Sequence, residues 1–502
     1  MEQTRPMLYR VIVAFLGLAA FVTVLLIPTP AGMTPVAQRV AAVAVLMAIW
    51  WITEAIPIPA TALLPLALYP ALGIMSAKDA AVSYGDRNLF LFAGGFFIAM
   101  AMQKWNLHER IALHIIKRTG TNSRRLILGF MVATAFLSMW ISNTATAMMM
   151  MPIGLAVIGE IERTSEAESG PFGTALMLGI AYAASIGGIG TLIGTPPNIV
   201  FTTQLSLLYP KAPEISFVQW MFIGLPLVLI FLPLTWFTLT RLAYPISPSV
   251  ATGRIESIID ERLNSLGPMS RGEKIVLAVA SMTAISWISR GLWSRLFPQP
   301  DYIDDSTVAI AFAVLLFAIP VDREQNEFAL DWTWARRIPW GILLLFGGGL
   351  ALANGFKDSN LIAWAGDQLR VLSNMPLLGM IVCIALLVTF LTELTSNVAT
   401  TTILLPILAV TASEVLKVNP LLLMIPATMS ASCAFMLPVA TPPNAIVFGS
   451  GHITVPQMAR SGLILNFLGV LLITTLAFVA VPHVFHLLSY RLPDWATAIQ
   501  LQ

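Results

Sequence analysis

Apolar residues along this chain come in long blocks separated by short polar gaps. Blocks such as Val11–Pro28, Phe217–Leu239 and Leu463–Val481 hold about 18 residues or more, enough for a helix to cross a ~30 Å hydrocarbon layer. The blocks and their breaks predict spans near 11–29, 38–55, 58–76, 87–104, 174–200, 216–240, 274–294, 306–320, 338–355, 419–447 and 461–489. Two further stretches, 126–161 and 377–413, are apolar except for a polar triplet near the centre of each. These triplets are Ser142-Asn143-Thr144 and Ser396-Asn397-Val398. About 16 residues on either side give arms of ~24 Å, slightly short of a crossing. Each stretch is therefore expected to enter the membrane, break at its triplet and return to the same side.

Four landmarks recur in the same order. The segment 92–96 (FAGGF) returns as 346–350 (FGGGL) and 142–146 (SNTAT) as 396–400 (SNVAT), both at an offset of 254. A proline follows each of those triplets, Pro152 and Pro406, and 194–198 (GTPPN) returns as 440–444 (ATPPN) at an offset of 246. This is an internal duplication.

Charge orients the two copies. Lys104, Arg110, Lys117, Arg118, Arg124 and Arg125 face one acid, Glu109, across 104–125, which marks that segment and the N-terminus (Arg5, Arg10) as cytoplasmic. In the equivalent 356–375, Lys357 and Arg370 are balanced by Asp358 and Asp367, so the second copy is expected upside down with the C-terminus outside. No A-x-A pattern follows the first span, which reads as uncleaved. Composition agrees with a membrane protein: 57% hydrophobic and 11% charged, against about 25% charged in soluble domains. A net charge of +2 gives no reason to expect a nucleic-acid partner. Cys383 and Cys433 read as small buried apolar residues, and the five histidines form no metal-binding pattern.

Irregular backbone at membrane depth persists only where protein or a water-filled cavity surrounds it. Two prolines in a row stop a helix, so Thr195-Pro196-Pro197 and Thr441-Pro442-Pro443 each predict a helix broken deep in the bilayer. A break frees carbonyls for a cation on one side and N–H groups for an anion on the other. Ser138, Ser142, Asn143 and a carbonyl near Gly194 would suit Na⁺, as would Thr392, Ser396, Asn397 and a carbonyl near Ala440. A single Ser-Asn-Thr in a membrane helix commonly just bonds its own backbone. Two such motifs, paired by a repeat, point to a binding site. The Met148–Met151 run reads as packing. The two intramembrane acids, Glu54 and Glu393, receive no substrate role.

Together with "WWITEAIP" at 50–57, both Ser-Asn motifs and both Thr-Pro-Pro motifs, the chain resembles the divalent anion:sodium symporter family over nearly its whole length. The resemblance implies an all-α polytopic inner-membrane protein, an inverted repeat whose halves each carry a re-entrant hairpin and a broken helix. It also implies a homodimer in which a transport region moves as an elevator against a scaffold. Scaffold helices would occupy 1–125 and 274–375, transport regions 126–240 and 376–502, and a cytoplasmic linker 241–273. Two sodium sites follow, Ser138/Ser142/Asn143/Gly194 and Thr392/Ser396/Asn397/Ala440. Substrate carboxylates would meet Asn143, Thr144, Thr195, Pro196, Asn397, Val398, Thr441 and Pro442, with Val398 standing where a threonine hydroxyl could have been.

The expected activity is Na⁺-coupled symport of a C4-dicarboxylate. An exchanger or a citrate- or sulfate-preferring carrier is the alternative. Family exchangers place basic side chains near the site, and neither hairpin core nor broken helix here has Lys, Arg or His. A membrane hydrolase is disfavoured because Ser142 has no His or Lys partner nearby in the sequence, and a channel because paired hairpins fit alternating access better.

Overall fold

A computed structural model describes residues 6–120, 122–164, 166–246, 252–368, 375–485 and 491–496. The first repeat opens with α1 (Met7–Leu26), α2 (Pro35–Thr53), α3 (Ile58–Thr61), α4 (Leu64–Ala71) and α5 (Ala77–Val82). It continues through α6 (Arg87–Lys104), α7 (Leu107–Thr119), α8 (Ser123–Ser138), α9 (Asn143–Thr164), α10 (Glu166–Gly188), α11 (Pro196–Leu208) and α12 (Phe217–Phe237). Then follow α13 (Thr252–Ser265), α14 (Arg271–Trp293), α15 (Asp305–Ala318), a short β-hairpin (Pro320–Asp322 and Glu327–Phe328) and α16 (Trp332–Ala335). The second repeat closes with α17 (Trp340–Asp358), α18 (Leu361–Gln368), α19 (Leu377–Thr392), α20 (Asn397–Val410), α21 (Leu421–Ser430), α22 (Pro442–Phe448) and α23 (Val455–Val484). Among the described residues, nine helices are long and apolar enough to cross a membrane.

Polar contacts sort the helix ends into two sets, separated by the length of α6. On one side, Lys104 Nζ donates to Phe328 O (2.7 Å) and pairs with Asp331 (2.9 Å), and Arg110 pairs with Glu273 (2.5 Å). Arg124 Nε donates to Ile246 O (2.6 Å) and Thr174 Oγ1 to His452 O (2.8 Å) on that side too. On the other, Arg87 pairs with Asp304 (3.6 Å), Thr34 Oγ1 donates to Ser359 O (3.0 Å), Lys357 Nζ to Leu207 O (3.3 Å) and Tyr209 Oη to Ser413 Oγ (3.0 Å). Both arms of the α8–α9 hairpin end on the first side. Both arms of α19–α20 end on the second. The hairpins therefore enter from opposite faces, and the two halves form an inverted repeat. Arg10 Nε reaches Ala55 O on the first side, while Leu492 N reaches Lys417 O on the second.

Several boundaries differ from the sequence reading. The span expected at 58–76 is two short helices, because Pro57, Pro59, Pro65 and Pro70 interrupt the turn-to-turn hydrogen bonding. The block 306–320 is a 14-residue helix, about 21 Å long and short of a full crossing. The basic segment 104–125 contains the amphipathic helix α7, and the linker 241–273 contains α13, which is tied to α7 by Lys117–Asp260 (2.5 Å) and Arg262–Glu109 (2.7 Å). Cys433 is buried as expected, but Cys383 is exposed on α19. Met148 is also exposed, at odds with simple core packing. Arg370, part of the linker at 247–251 and the tail of the last predicted span, 486–489, lie outside the described residues.

Candidate functional site

Both broken helices break before their prolines. In the first repeat, α10 stops at Gly188 and α11 starts at Pro196, so 189–195 is irregular; in the second, α21 stops at Ser430 and α22 starts at Pro442. Proline suits these helix starts because its missing N–H has no intrahelical partner there anyway. The freed carbonyls of each break are gathered by an asparagine. Asn198 Nδ2 donates to Thr191 O (2.7 Å) and Gly188 O (3.2 Å), and Asn444 Nδ2 to Leu437 O (3.0 Å) and Ala434 O (3.0 Å). These contacts are related by the 246-residue offset: 188 to 434, 191 to 437 and 198 to 444. The repeat seen in the sequence thus extends to hydrogen-bond geometry.

Each hairpin tip docks onto the break of its own repeat. Ser138 Oγ lies 2.6 Å from Asn143 Oδ1 and 2.7 Å from Ala184 O. That same inner amide position of Asn143 lies 3.2 Å from both Ala184 O and Gly194 O. In the second copy Thr392 Oγ1 lies 2.7 Å from Asn397 Oδ1 and 3.0 Å from Ala431 O. Each cluster combines a hydroxyl, an amide and helix-end carbonyls. Such sets are all-oxygen when the amide oxygen points in, and suit a small hard cation. Ser138, Asn143 and Gly194 are thus brought together, as are Thr392 and Asn397. Ser142 Oγ instead accepts from Ala145 N (3.3 Å), capping α9. Ser396 is the residue before α20 and makes no side-chain cap. Ala440 lies in the second break, its N–H bonded to Leu437 O (3.2 Å).

The second arm of each hairpin packs along the half-helix of the other repeat, α9 on α22 and α20 on α11. Gln204 Nε2 to Thr402 O (3.0 Å) and Tyr209 Oη to Ala409 O (2.9 Å) hold the second pair. The N-termini of α9, α11, α20 and α22 carry Asn143-Thr144, Pro196, Asn397-Val398 and Pro442, and Thr195 and Thr441 immediately precede the two prolines. Free backbone N–H groups at the starts of α9 and α20 favour an anion, whereas the paired prolines that open α11 and α22 offer no N–H at their first two positions. Thr144 and Pro196 are half-buried, Thr195, Val398 and Thr441 buried, and Pro442 exposed.

Sequence reasoning missed Ala184 and Ala431, whose contribution is a backbone carbonyl, and Gly188, whose absent side chain makes room for Asn143. It passed over Asn198 and Asn444, though both stand in the repeated motif. It left Glu393 unassigned. Glu393 Oε1 accepts from Phe435 N (2.7 Å), Met436 N (2.9 Å) and Asn466 Nδ2 (2.8 Å), and Oε2 from Leu437 N (3.1 Å). It therefore shapes the second break. Position 139, its repeat counterpart, is Met; there the Thr191 hydroxyl donates to Met139 O (2.5 Å) to join tip and break.

Comparison with known proteins agrees with this architecture. The chain is 44% identical over 475 residues to the sodium-dependent dicarboxylate transporter SdcS of Staphylococcus saprophyticus, covering 93% of this chain and 91% of that one. It is 43% identical over 473 residues to SdcS of Staphylococcus aureus, covering 93% and 90%. The fold is shared with the YdaH transporter of Alcanivorax borkumensis (TM-score 0.56, 12% identity, 95% and 98% covered). It is shared equally with MtrF of Neisseria gonorrhoeae (TM-score 0.57, 12% identity, 95% and 96% covered). Residues 9–485 match the model of the sodium:sulfate symporter transmembrane region, and the chain, an integral membrane protein built as an inverted repeat, belongs to that family.

Proposed function

We propose that this protein is a transporter that carries a C4-dicarboxylate together with Na⁺ across the cytoplasmic membrane. The observation that carries the reading is the pair of oxygen clusters flanking four helix starts, with no Lys, Arg or His in 126–161, 189–208, 377–413 or 431–448. A dianion leaving water needs compensating charge. With no cationic side chain in these segments, bound sodium ions supply it. Ser138, Ser142, Asn143 and Gly194 with the Ala184 carbonyl would hold one ion. Thr392, Ser396, Asn397 and Ala440 with the Ala431 carbonyl would hold another. Between them, Asn143, Thr144, Thr195, Pro196, Asn397, Val398, Thr441 and Pro442 would take the carboxylates. The names of the SdcS relatives support the dicarboxylate. The description of the family model favours sulfate as the second reading, and competition between the two anions for Na⁺-driven uptake separates them.

The motion we infer is an elevator, with the hairpins and broken helices sliding as a body on a scaffold that also forms a homodimer. Two glycines at the 254 offset support it. Gly95 on α6 faces Ile193, whose Cδ1 would lie 3.3 Å from a Cβ placed there, and Gly349 on α17 lies directly against the Thr402 side chain. The repeat counterparts of Ile193 and Thr402 are Val439 and Met148, which are 67% and 53% exposed. The scaffold thus covers the half of the moving body opposite the Arg-rich ends and leaves the half beside them open. With those ends cytoplasmic, this is an inward-open state. Exchanging the repeats gives the outward-open one, in which Gly95 meets Met148.

Two cysteine pairs test this in a chain lacking Cys383 and Cys433. Gly95→Cys with Ile193→Cys is expected to cross-link the present state, and Gly95→Cys with Met148→Cys the opposite one. Each bridge should arrest uptake, with recovery on reduction. Failure of the second pair to cross-link under turnover conditions, while the first does so readily, would count against the elevator.

A further inference from the structure

We propose that Arg290 and Lys357 of the scaffold, with Asp305 beside Arg290, form a latch that holds the transport region inward-open and so sets the apparent affinity for external substrate; this rests on the elevator reading. Three polar contacts cross between the two regions on the side away from the Arg-rich ends. Asp305, at the start of α15 and 3% exposed, accepts the Phe217 N–H at the start of α12 through Oδ2 (2.7 Å). Arg290 on α14 pairs with Glu214 (3.2 Å), in the segment between α11 and α12. Lys357 Nζ, in the last turn of α17, donates to Leu207 O (3.3 Å) at the end of α11. Beside them the Phe217 ring stacks on Trp287 of α14, with centroids 4.4 Å apart.

A carboxylate at the start of α12 and an ammonium at the end of α11 both lie where the helix dipole favours them, and charge-assisted hydrogen bonds are the stronger kind. The scaffold groups are also tied to one another. Arg290 pairs with Asp305 (3.1 Å), and Trp287 Nε1 donates to Asp305 O (2.9 Å). When the transport region slides away, Arg290 and Asp305 keep each other, so release strands no buried charge. The latch therefore holds without making the movement prohibitive.

The repeat-related end is built differently. At the 254 offset Lys357 corresponds to Gln103, which carries no charge. The matching capping boxes Ser216–Gln219 and Thr454–Gln457 pair Phe217 with Val455. Phe217 is fully buried, whereas Val455 is 43% exposed. Exchanging the repeats thus gives an outward-open state that lacks the Lys357 charge and the aromatic stack. The inward state is held more tightly of the two. A carrier whose outward form is a minor population binds external ligand with an affinity reduced by that fraction.

Lys357→Met with Glu214→Gln removes two of the three links and leaves both the Arg290–Asp305 pair and the substrate segments intact. In cells at saturating Na⁺, the half-saturating concentration of external labelled succinate is expected to fall by roughly three- to tenfold, with no matching fall in maximal rate. Each single substitution should show part of the effect. Damage to the fold would lower the maximal rate without improving apparent affinity. In the cysteine-pair chains, the double substitution should slow the bridge between 95 and 193 and speed the one between 95 and 148. An unchanged or higher half-saturating concentration, with unchanged bridging rates in a chain that forms both bridges, overturns the latch and leaves the elevator standing. Failure of the second bridge in every background removes the elevator and the latch with it.

Discussion

Gly188→Ala is expected to abolish Na⁺-driven uptake in a protein that still folds. The added methyl would sit 2.6 Å from Asn143 Oδ1, 3.1 Å from its Nδ2 and 3.2 Å from Gly194 O. Contacts under 3.0 Å do not persist, so the amide is driven out of the cluster. A hydrogen bond or ligand contact to a charged group contributes about 1.5–3 kcal/mol, and this substitution disturbs the cation contact and the carboxylate contact of one residue together. Uptake at fixed Na⁺ should fall by roughly a hundredfold or more. Gly159→Ala and Gly291→Ala, where nothing lies within 4 Å of the added carbon, are the matched controls and should transport normally. Normal uptake by Gly188→Ala would remove Asn143 from the site.

Glu393→Ala is expected to be among the most destabilising substitutions in the chain. It leaves the N–H groups of Phe435, Met436 and Leu437 and the amide of Asn466 without their acceptor. A buried donor left unpaired costs about 1–3 kcal/mol; because Met436 and Leu437 are partly reachable by water, the total falls near 3–5 kcal/mol. Leu437 O is also the acceptor for Asn444 and Ala440, so the second break loses its shape and the Ala431–Asn397–Thr392 cluster goes with it. Melting in detergent should shift down by several degrees, and Na⁺ should stabilise the variant less than wild type. Glu393→Gln keeps Oε1 for three of the four donors and should lie between. A wild-type melting curve with a full Na⁺ response in Glu393→Ala would show that the break holds itself together without the acid.

Much of this architecture was legible because duplication writes the same landmark twice. The 254-residue offset located both hairpins and the glycine motifs of α6 and α17, and the 246-residue offset located both breaks. Side chains in those landmarks, Asn143 and Asn397 above all, stand where the repeat placed them. What escaped detection has a common cause. Ala184, Ala431 and the start of each irregular segment act through backbone carbonyls, which any residue type can present. Gly188 acts through space it leaves empty, and a glycine in an apolar block looks like packing. Glu393 looked like a charge out of place until its three backbone N–H partners were seen, 42 to 44 residues away in sequence. The short helices α3, α4 and α15 read as spans because hydropathy counts residues and takes no account of prolines or of the length a helix finally reaches.

The central claim is that sodium supplies the charge that the site lacks. The direct test is uptake of labelled succinate by purified protein in sealed proteoliposomes, with an inward Na⁺ gradient or with K⁺ on both sides and unlabelled dicarboxylate trapped within. The account predicts accumulation driven by the Na⁺ gradient, inhibited by excess unlabelled succinate more strongly than by sulfate, and negligible exchange in K⁺. Equal uptake in K⁺, with internal dicarboxylate as the only driving force, would contradict it and make the protein an exchanger.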